Sequence, residues 1–284
     1  MKLLKKINII CFIIIINNLY AEQLYIQPYI GLLNIKTEEV IKDEQQRKLI
    51  WPIENIVYQG IGAEYEYKNI IANVNMNYIN SNITGKVRDI NWIDNNNEYN
   101  SMLEKYYNLQ MNISYNIKIL KYFYIEPIIT YNNINIKWNA KGVYNNEATM
   151  MEGTSITYEQ KWNYISLGMY TGVQPTNNID FNVGIKYIPA TTCIEENENY
   201  ISKIQYSSVL YGEDGIESQI NIKYKKEKIN INIRYTYIAM IGLNGDTNMV
   251  SINTNNPIKA TIKNTSIVNN EGYNIKILLS INIL

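Results

Sequence analysis

Apolar and polar residues alternate with a period of two in run after run of this chain. Ala72, Val74, Met76 and Tyr78 alternate with Asn73, Asn75 and Asn77. Leu109, Met111, Ile113, Tyr115, Ile117 and Ile119 alternate with polar neighbours from Gln110 to Lys118. Ile179, Phe181, Val183, Ile185 and Tyr187 stand opposite Asp180, Asn182, Gly184 and Lys186. Ile229, Ile231, Ile233, Tyr235 and Tyr237 stand opposite Asn230, Asn232, Arg234 and Thr236, and the last run places Tyr273, Ile275, Ile277, Leu279, Ile281 and Ile283 on one face. A period of two is the mark of a strand with unlike faces.

These runs are about ten residues long, the length a tilted strand needs to cross a bilayer. Strands of soluble sandwiches are shorter, about five or six residues. In lipid only a closed barrel leaves no strand edge unpaired. Compact polar connections occur at Lys118 to Lys121, Pro175 to Asn178 and Lys225 to Lys228. Longer polar stretches at 34–50, 82–105, 137–156, 189–205 and 242–270 read as five loops at the opposite end. Five long loops alternating with four short turns predict an all-β fold, a ten-stranded antiparallel transmembrane β-barrel. A secreted sandwich is the alternative.

Export is expected from the first 21 residues. Lys2, Lys5 and Lys6 precede an apolar run from Ile7 to Ile16, and Leu19-Tyr20-Ala21 offers a cleavage site before Glu22. The run is too short for a transmembrane helix, so 1–21 reads as a signal peptide and 22–284 as the barrel with long external loops. Cleavage would remove Cys11 and leave only Cys193, excluding an internal disulfide. The 26 basic and 26 acidic residues balance, and losing the three lysines leaves the chain slightly acidic, which is no nucleic-acid footprint. Tyrosine is in excess, 26 residues against three phenylalanines, and suits rings with one apolar and one wet end.

Six segments carry a family likeness. They are Asn34 to Glu39; Arg47-Lys48-Leu49 with Trp51; Asp89-Ile90-Asn91-Trp92-Ile93-Asp94; Trp138 to Gly142; Ile156 to Trp162; and Glu195 to Tyr200. In this order and spacing they resemble the omptins, ten-stranded outer-membrane endopeptidases. The likeness implies location in the outer membrane of a diderm bacterium, a monomeric barrel, contact with outer-membrane lipid such as lipopolysaccharide, and no cofactor or metal.

In omptins an Asp-His pair and an Asp-Asp pair flank the water that attacks the peptide bond. Here Asp89 matches the first aspartate, but Asn91, Asn197 and Asn199 stand at the other three catalytic positions, and the chain contains no histidine. An amide hydrogen-bonds but has no useful basicity near neutral pH. The resemblance also matches Glu39 and Glu195 to the two acids that recognise a basic substrate residue, and Lys161 and Tyr131 to the lipid-contacting wall, where Asn133 and Asn135 replace charged residues. The expected function is an impaired or inactive protease homologue that binds cationic peptides or other surface partners with basic residues.

The alternative is an active endopeptidase cutting near basic residues, with Asp89 aided by Glu195, Glu196, Glu198 or Asp94. In a straight strand Glu196 and Glu198 point opposite to Asn197 and Asn199, and a one-residue bulge is the device that would turn them inward. Taken alone, these acids read as solvated loop residues. A small porin is a third class, with Arg88, Arg234, Lys186 and Asn182 expected to fill its interior.

Overall fold

The computed structural model describes residues 23–41, 47–79, 83–90, 96–141, 154–200, 202–251 and 257–283. The segment read as a signal peptide, Asn91 to Asp94 and Leu284 lie outside these residues. Thirteen strands follow one another: β1 (Gln23–Ile41), β2 (Arg47–Tyr67), β3 (Ile70–Ile79), β4 (Ile83–Ile90), β5 (Asn96–Tyr115), β6 (Ile117–Lys118), β7 (Phe123–Lys141), β8 (Thr154–Thr176), β9 (Ile179–Asn199), β10 (Ile204–Gly212), β11 (Gly215–Lys226), β12 (Ile229–Ser251) and β13 (Lys259–Asn282).

They form a ring of ten antiparallel staves. β3 and β4 together make one stave between β2 and β5, and β10 and β11 together make one between β9 and β12. β6 extends β5 into the turn before β7. Pairing of β13 with β1, from Tyr25↔Asn282 to Ile41↔Ser266, closes the ring. Every backbone row thereby finds a neighbour, which is what hydrocarbon requires of a spanning sheet.

The alternation sorts as lipid requires. Phe181, Val183, Ile185 and Tyr187 of β9 are exposed on the outer wall, whereas Asp180, Asn182 and Lys186 are buried in the lumen. On β12, Ile229, Ile231 and Ile233 face out, and Asn230 and Asn232 face in. Lys186 lies 2.5 Å from Glu217, with both side chains almost fully buried. Tyrosines fill the remaining space by lying over cross-strand glycines: Tyr170 covers Gly184, and Tyr58 covers Gly31. Side chains thus fill much of the spanning lumen, as in other small barrels, around a cavity of about 360 Å³ lined by Glu126, Tyr170, Asp180 and Lys223. Arg88, expected as a filler, is instead exposed.

The polar stretches read as long loops prove to be mostly wall. β1 runs on to Ile41, β8 begins at Thr154, β9 continues to Asn199 and β12 to Ser251. Above the lipid belt both faces of these strands are wet, so the apolar alternation stops while the backbone pairing continues. The barrel therefore stands well out of the membrane, and this upper cylinder carries the candidate site.

Candidate peptide-binding cleft at the external mouth

A bulge in β9 decides which residues enter the lumen. Ile165 of β8 pairs with Ala190, but Leu167 pairs with Tyr187, so β9 holds one extra residue around Pro189. Proline donates no backbone hydrogen bond and is suited to such a break. On the other side of β9 pairing passes from β11 to β10 at the same height, from Gly215↔Ile188 to Gly212↔Thr191. Below the bulge odd-numbered residues face lipid; above it they face the lumen. Cys193, Glu195 and Asn197 are buried in consequence, while Glu196 is exposed.

Pairing then runs without a break from Ala190 to Asn199. The bulge expected to bring Glu196 and Glu198 inward thus lies lower in the strand and has the opposite effect. Glu196 sits 3.6 Å from Lys161 on the outside, and Glu198 accepts a 2.7 Å hydrogen bond from Tyr200. Neither glutamate joins the cleft, so the proposed rescue through them is corrected.

Glu195 comes together with Glu39 of β1, Asn197 and Asn199 in one cavity of about 280 Å³. Leu49, Ile156, Tyr158, Met249 and Ile262 supply its apolar lining. Glu195 is 3 % exposed. Its Oε1 accepts hydrogen bonds from the Tyr158 hydroxyl and, at 2.7 Å, from Gln160 Nε2. The Trp162 indole N–H, a donor only, meets Gln160 Oε1 at 3.1 Å and so fixes the amide with its NH₂ toward Glu195. Burial pushes the Glu195 carboxyl up to about 7, against the two hydrogen bonds that favour its charged form. Glu195 lies eight positions beyond Tyr187, where the exposed apolar run of β9 ends, and so stands outside the membrane.

An aromatic stack adjoins the cavity. Tyr158 stacks on Trp51 at 4.8 Å and on Trp138 at 5.6 Å between ring centroids, and all three rings are buried. These residues come from β8, β2 and β7, so the stack braces these walls beside the acids. Offset stacks of this kind add about 0.5–1.5 kcal/mol per pair beyond area burial. The opposite wall is a ladder of hydroxyls: Ser208 lies 3.1 Å from Thr247, Thr247 lies 2.9 Å from Ser266, and Thr265 donates to Thr247 at 3.1 Å. The ladder was not found in the sequence, because its members are scattered over the chain and belong to no local motif; Trp51, Trp138 and Tyr158 lie in segments that carry the family likeness, but their stacking shows only once β2, β7 and β8 are brought together.

The remaining expected residues fall in different places. The backbone of Asp89 pairs with Leu49, which pairs in turn with Glu39, so β1, β2 and β4 carry these three at one height. That rung puts position 89 roughly 10 Å along the wall from Glu39. β5, β7 and β8 separate β4 from β9, so positions 89 and 197 belong to different sides of the mouth. Asn91 and Asp94 lie outside the described residues. Asn197 Oδ1 is buried with no hydrogen-bond partner.

Lys161 is on the outer wall, 3.7 Å from Glu159 and 3.6 Å from Glu196. Tyr131 donates to Asn163 at 3.0 Å, Asn133 donates to Asn163 at 2.7 Å, and Asn135 donates to Glu159 at 2.9 Å. This wall is a self-contained polar network in which the lysine charge already faces two carboxylates. Among the described residues no group of three His, Cys, Asp or Glu side chains is arranged to hold a metal ion.

The sequence profile of the Omptin family matches residues 20–282. No curated protein matches the chain. Among solved structures, it is similar to the outer membrane protease OmpT from Escherichia coli, with a TM-score of 0.78 and 14 % identity over 93 % of this chain and 98 % of that one. Weaker likenesses are to the translocator domain of the autotransporter NalP from Neisseria meningitidis (TM-score 0.38, 10 % identity, 88 % and 87 % covered) and to the toluene transporter TbuX from Ralstonia pickettii (0.36, 6 %, 90 % and 89 %). The last two are too distant to carry an argument.

Proposed function

The chain belongs to the omptin family, and from that premise we propose that its external cleft captures basic side chains of peptides without cleaving the backbone. It is a barrel of the outer membrane, of the protease type. The observation that carries the proposal is the meeting of Glu39 and Glu195 in one cavity whose upper residues are Asn197 and Asn199. Two buried acids in one pocket with a partly apolar lining attract a cation strongly. The two amides beside them accept no proton at neutral pH. Asp89 alone lacks the partner groups that the family's water attack relies on. In this reading residues 1–21 are the export signal, in keeping with the outer-membrane location.

A catalytic reading would need another base. Glu195 is an acid in the cavity that burial holds near neutrality, and it is the residue on which surviving hydrolysis would depend. The test uses the full barrel reconstituted in lipid vesicles. Arginine- and lysine-containing peptides are incubated with it, products are analysed by mass, and binding is followed by fluorescence anisotropy. Saturable binding without new fragments, weakened by Glu39→Gln and Glu195→Gln, supports capture. Fragments that disappear with Asp89→Asn or Glu195→Gln would replace it with an active endopeptidase.

A further inference from the structure

We infer that the cavity selects a lysine side chain over an arginine side chain. This rests on the cleft being a site for basic residues, and it follows from how the acceptors are already used.

Arginine gains its advantage over lysine from a planar fork that grips both oxygens of a carboxylate at once. Glu195 is not free for such a grip. Its Oε1 already takes donors from Tyr158 and Gln160, and the Trp162 bond locks Gln160 in the orientation that donates. A guanidinium reaching Glu195 would have to displace one of these bonds inside a buried network, or leave one arm of its fork unpaired. Either costs the net value of a buried hydrogen bond or more.

The rest of the acceptor set is made of separate points. Ser208 is the direct cross-strand neighbour of Glu195, and from it the hydroxyl ladder passes through Thr247 to Ser266. Ser266 pairs with Ile41, two residues along β1 from Glu39. Five adjacent staves, β9, β10, β12, β13 and β1, therefore present carboxylate, hydroxyl, hydroxyl, hydroxyl and carboxylate in an arc. Acceptors spread around an arc, three of them single hydroxyl oxygens, suit the three rotatable donors of an ammonium group. Leu49, Ile156, Met249 and Ile262 offer an apolar lining for the four-carbon stem.

The experiment compares matched short peptides that differ at one position, lysine, arginine or uncharged norleucine, titrated against the vesicle-reconstituted barrel. The lysine peptide is expected to bind about tenfold more tightly than the arginine peptide. Combining Tyr158→Phe with Gln160→Leu unblocks Oε1 and is expected to shrink that ratio toward one. Ser208→Ala is expected to weaken lysine binding more than arginine binding and so to lower the lysine-to-arginine ratio, a selective effect that general loss of fold would not produce. Equal binding of the two cations, or tighter arginine, by the wild-type barrel overturns the inference while leaving the basic-residue site standing. Binding of neither above norleucine overturns both.

Discussion

Tyr158 donates its hydroxyl to Glu195 Oε1 from the diagonal position across the β8–β9 ladder, while Gln160, directly opposite, donates to the same oxygen. Both bonds favour the charged carboxylate, and burial opposes it. Tyr158→Phe removes one bond without opening the pocket. The Glu195 carboxyl is then expected to titrate at higher pH than in the wild type. The check is the pH midpoint of lysine-peptide binding, measured on both proteins. An unchanged or lower midpoint in the variant would show that the hydroxyl does not support the charged form.

Binding by the wild-type protein should itself depend on pH near neutrality. The sign follows from Glu195, held near 7 by burial: below that value it is protonated and neutral, and above it carries the charge that attracts a cation. The ionisable groups around it are Glu39, Tyr158 and Cys193. The tyrosine and the thiol are pushed well above their ordinary values by burial and stay neutral throughout. Affinity is therefore expected to rise from pH 6 to pH 8 and then level off, in titrations at about those values. Glu195→Gln should flatten the curve. A wild-type curve that is already flat over this interval would mean that Glu195 is not the titrating contact.

Restoring the missing basicity is a direct test of the proposal that the cleft binds without cutting. The variant Asn91→Asp/Asn197→Asp/Asn199→His returns carboxylates and an imidazole to the positions that the family uses. Asn197 already faces the lumen beside Glu195, so the change needs no movement of β9. A positioned general base contributes about 10²–10⁴-fold to a proton-transfer step. Peptide fragments are expected from this variant, by mass analysis, where the wild type gives none. If peptide binding persists and no fragments form, the three amides do not account for a cleft that binds without cutting.

The chain shows its spanning strands plainly because lipid meets only one face of them. Ile179 to Tyr187 alternate for that reason. Ten positions higher the same strand is wet outside and mixed inside. Thr192 and Glu196 on the outer face and Cys193, Glu195 and Asn197 on the inner one carry no hydrophobic period, so continuous wall reads as loop. Pro189 is the local sign of the break in phase, but proline alone does not say that the strand resumes with its faces exchanged. Glu39 and Glu195 were found through the family pattern, whereas the Ser208–Thr247–Ser266 ladder has no such guide. Its members meet only after β10, β12 and β13 are paired.

The lumen packing gives a stability prediction. A Cβ at Gly184 would lie 1.8 Å from the Tyr170 ring, which crosses this glycine from the neighbouring strand. No rotamer of an added side chain relieves a clash made by the Cβ itself. Tyr170 would have to leave its buried position, where its hydroxyl donates to Gln219 at 3.1 Å. Gly184→Val is expected to destabilise the barrel by at least about 1–3 kcal/mol, the usual cost of overpacking. Urea unfolding from lipid vesicles, followed by tyrosine and tryptophan fluorescence, measures this. Stability within about 0.5 kcal/mol of the wild type, the range of an ordinary surface substitution, would show that Tyr170 does not need the glycine.

The outer wall around Lys161 gives the last prediction. Lys161 stands at the position expected to meet an anionic lipid headgroup, but Glu159 and Glu196 lie within 3.7 Å and 3.6 Å of its ammonium. Exposed ion pairs are weak, about 0–1 kcal/mol, so they do not lock the side chain. Their larger effect here is on the local field: two negative charges beside one positive charge make the patch repel phosphate. The wild-type barrel is therefore expected to fold equally well into neutral vesicles with and without lipopolysaccharide. Glu159→Gln with Glu196→Gln leaves Lys161 as the charge of that patch. This double variant is expected to bind anionic vesicles more tightly than the wild type, an advantage that fades as salt rises above about 0.15 M because the attraction is screened. Co-sedimentation with vesicles across a salt series separates the cases. A wild-type barrel that already requires lipopolysaccharide to fold would show that the two carboxylates do not neutralise Lys161.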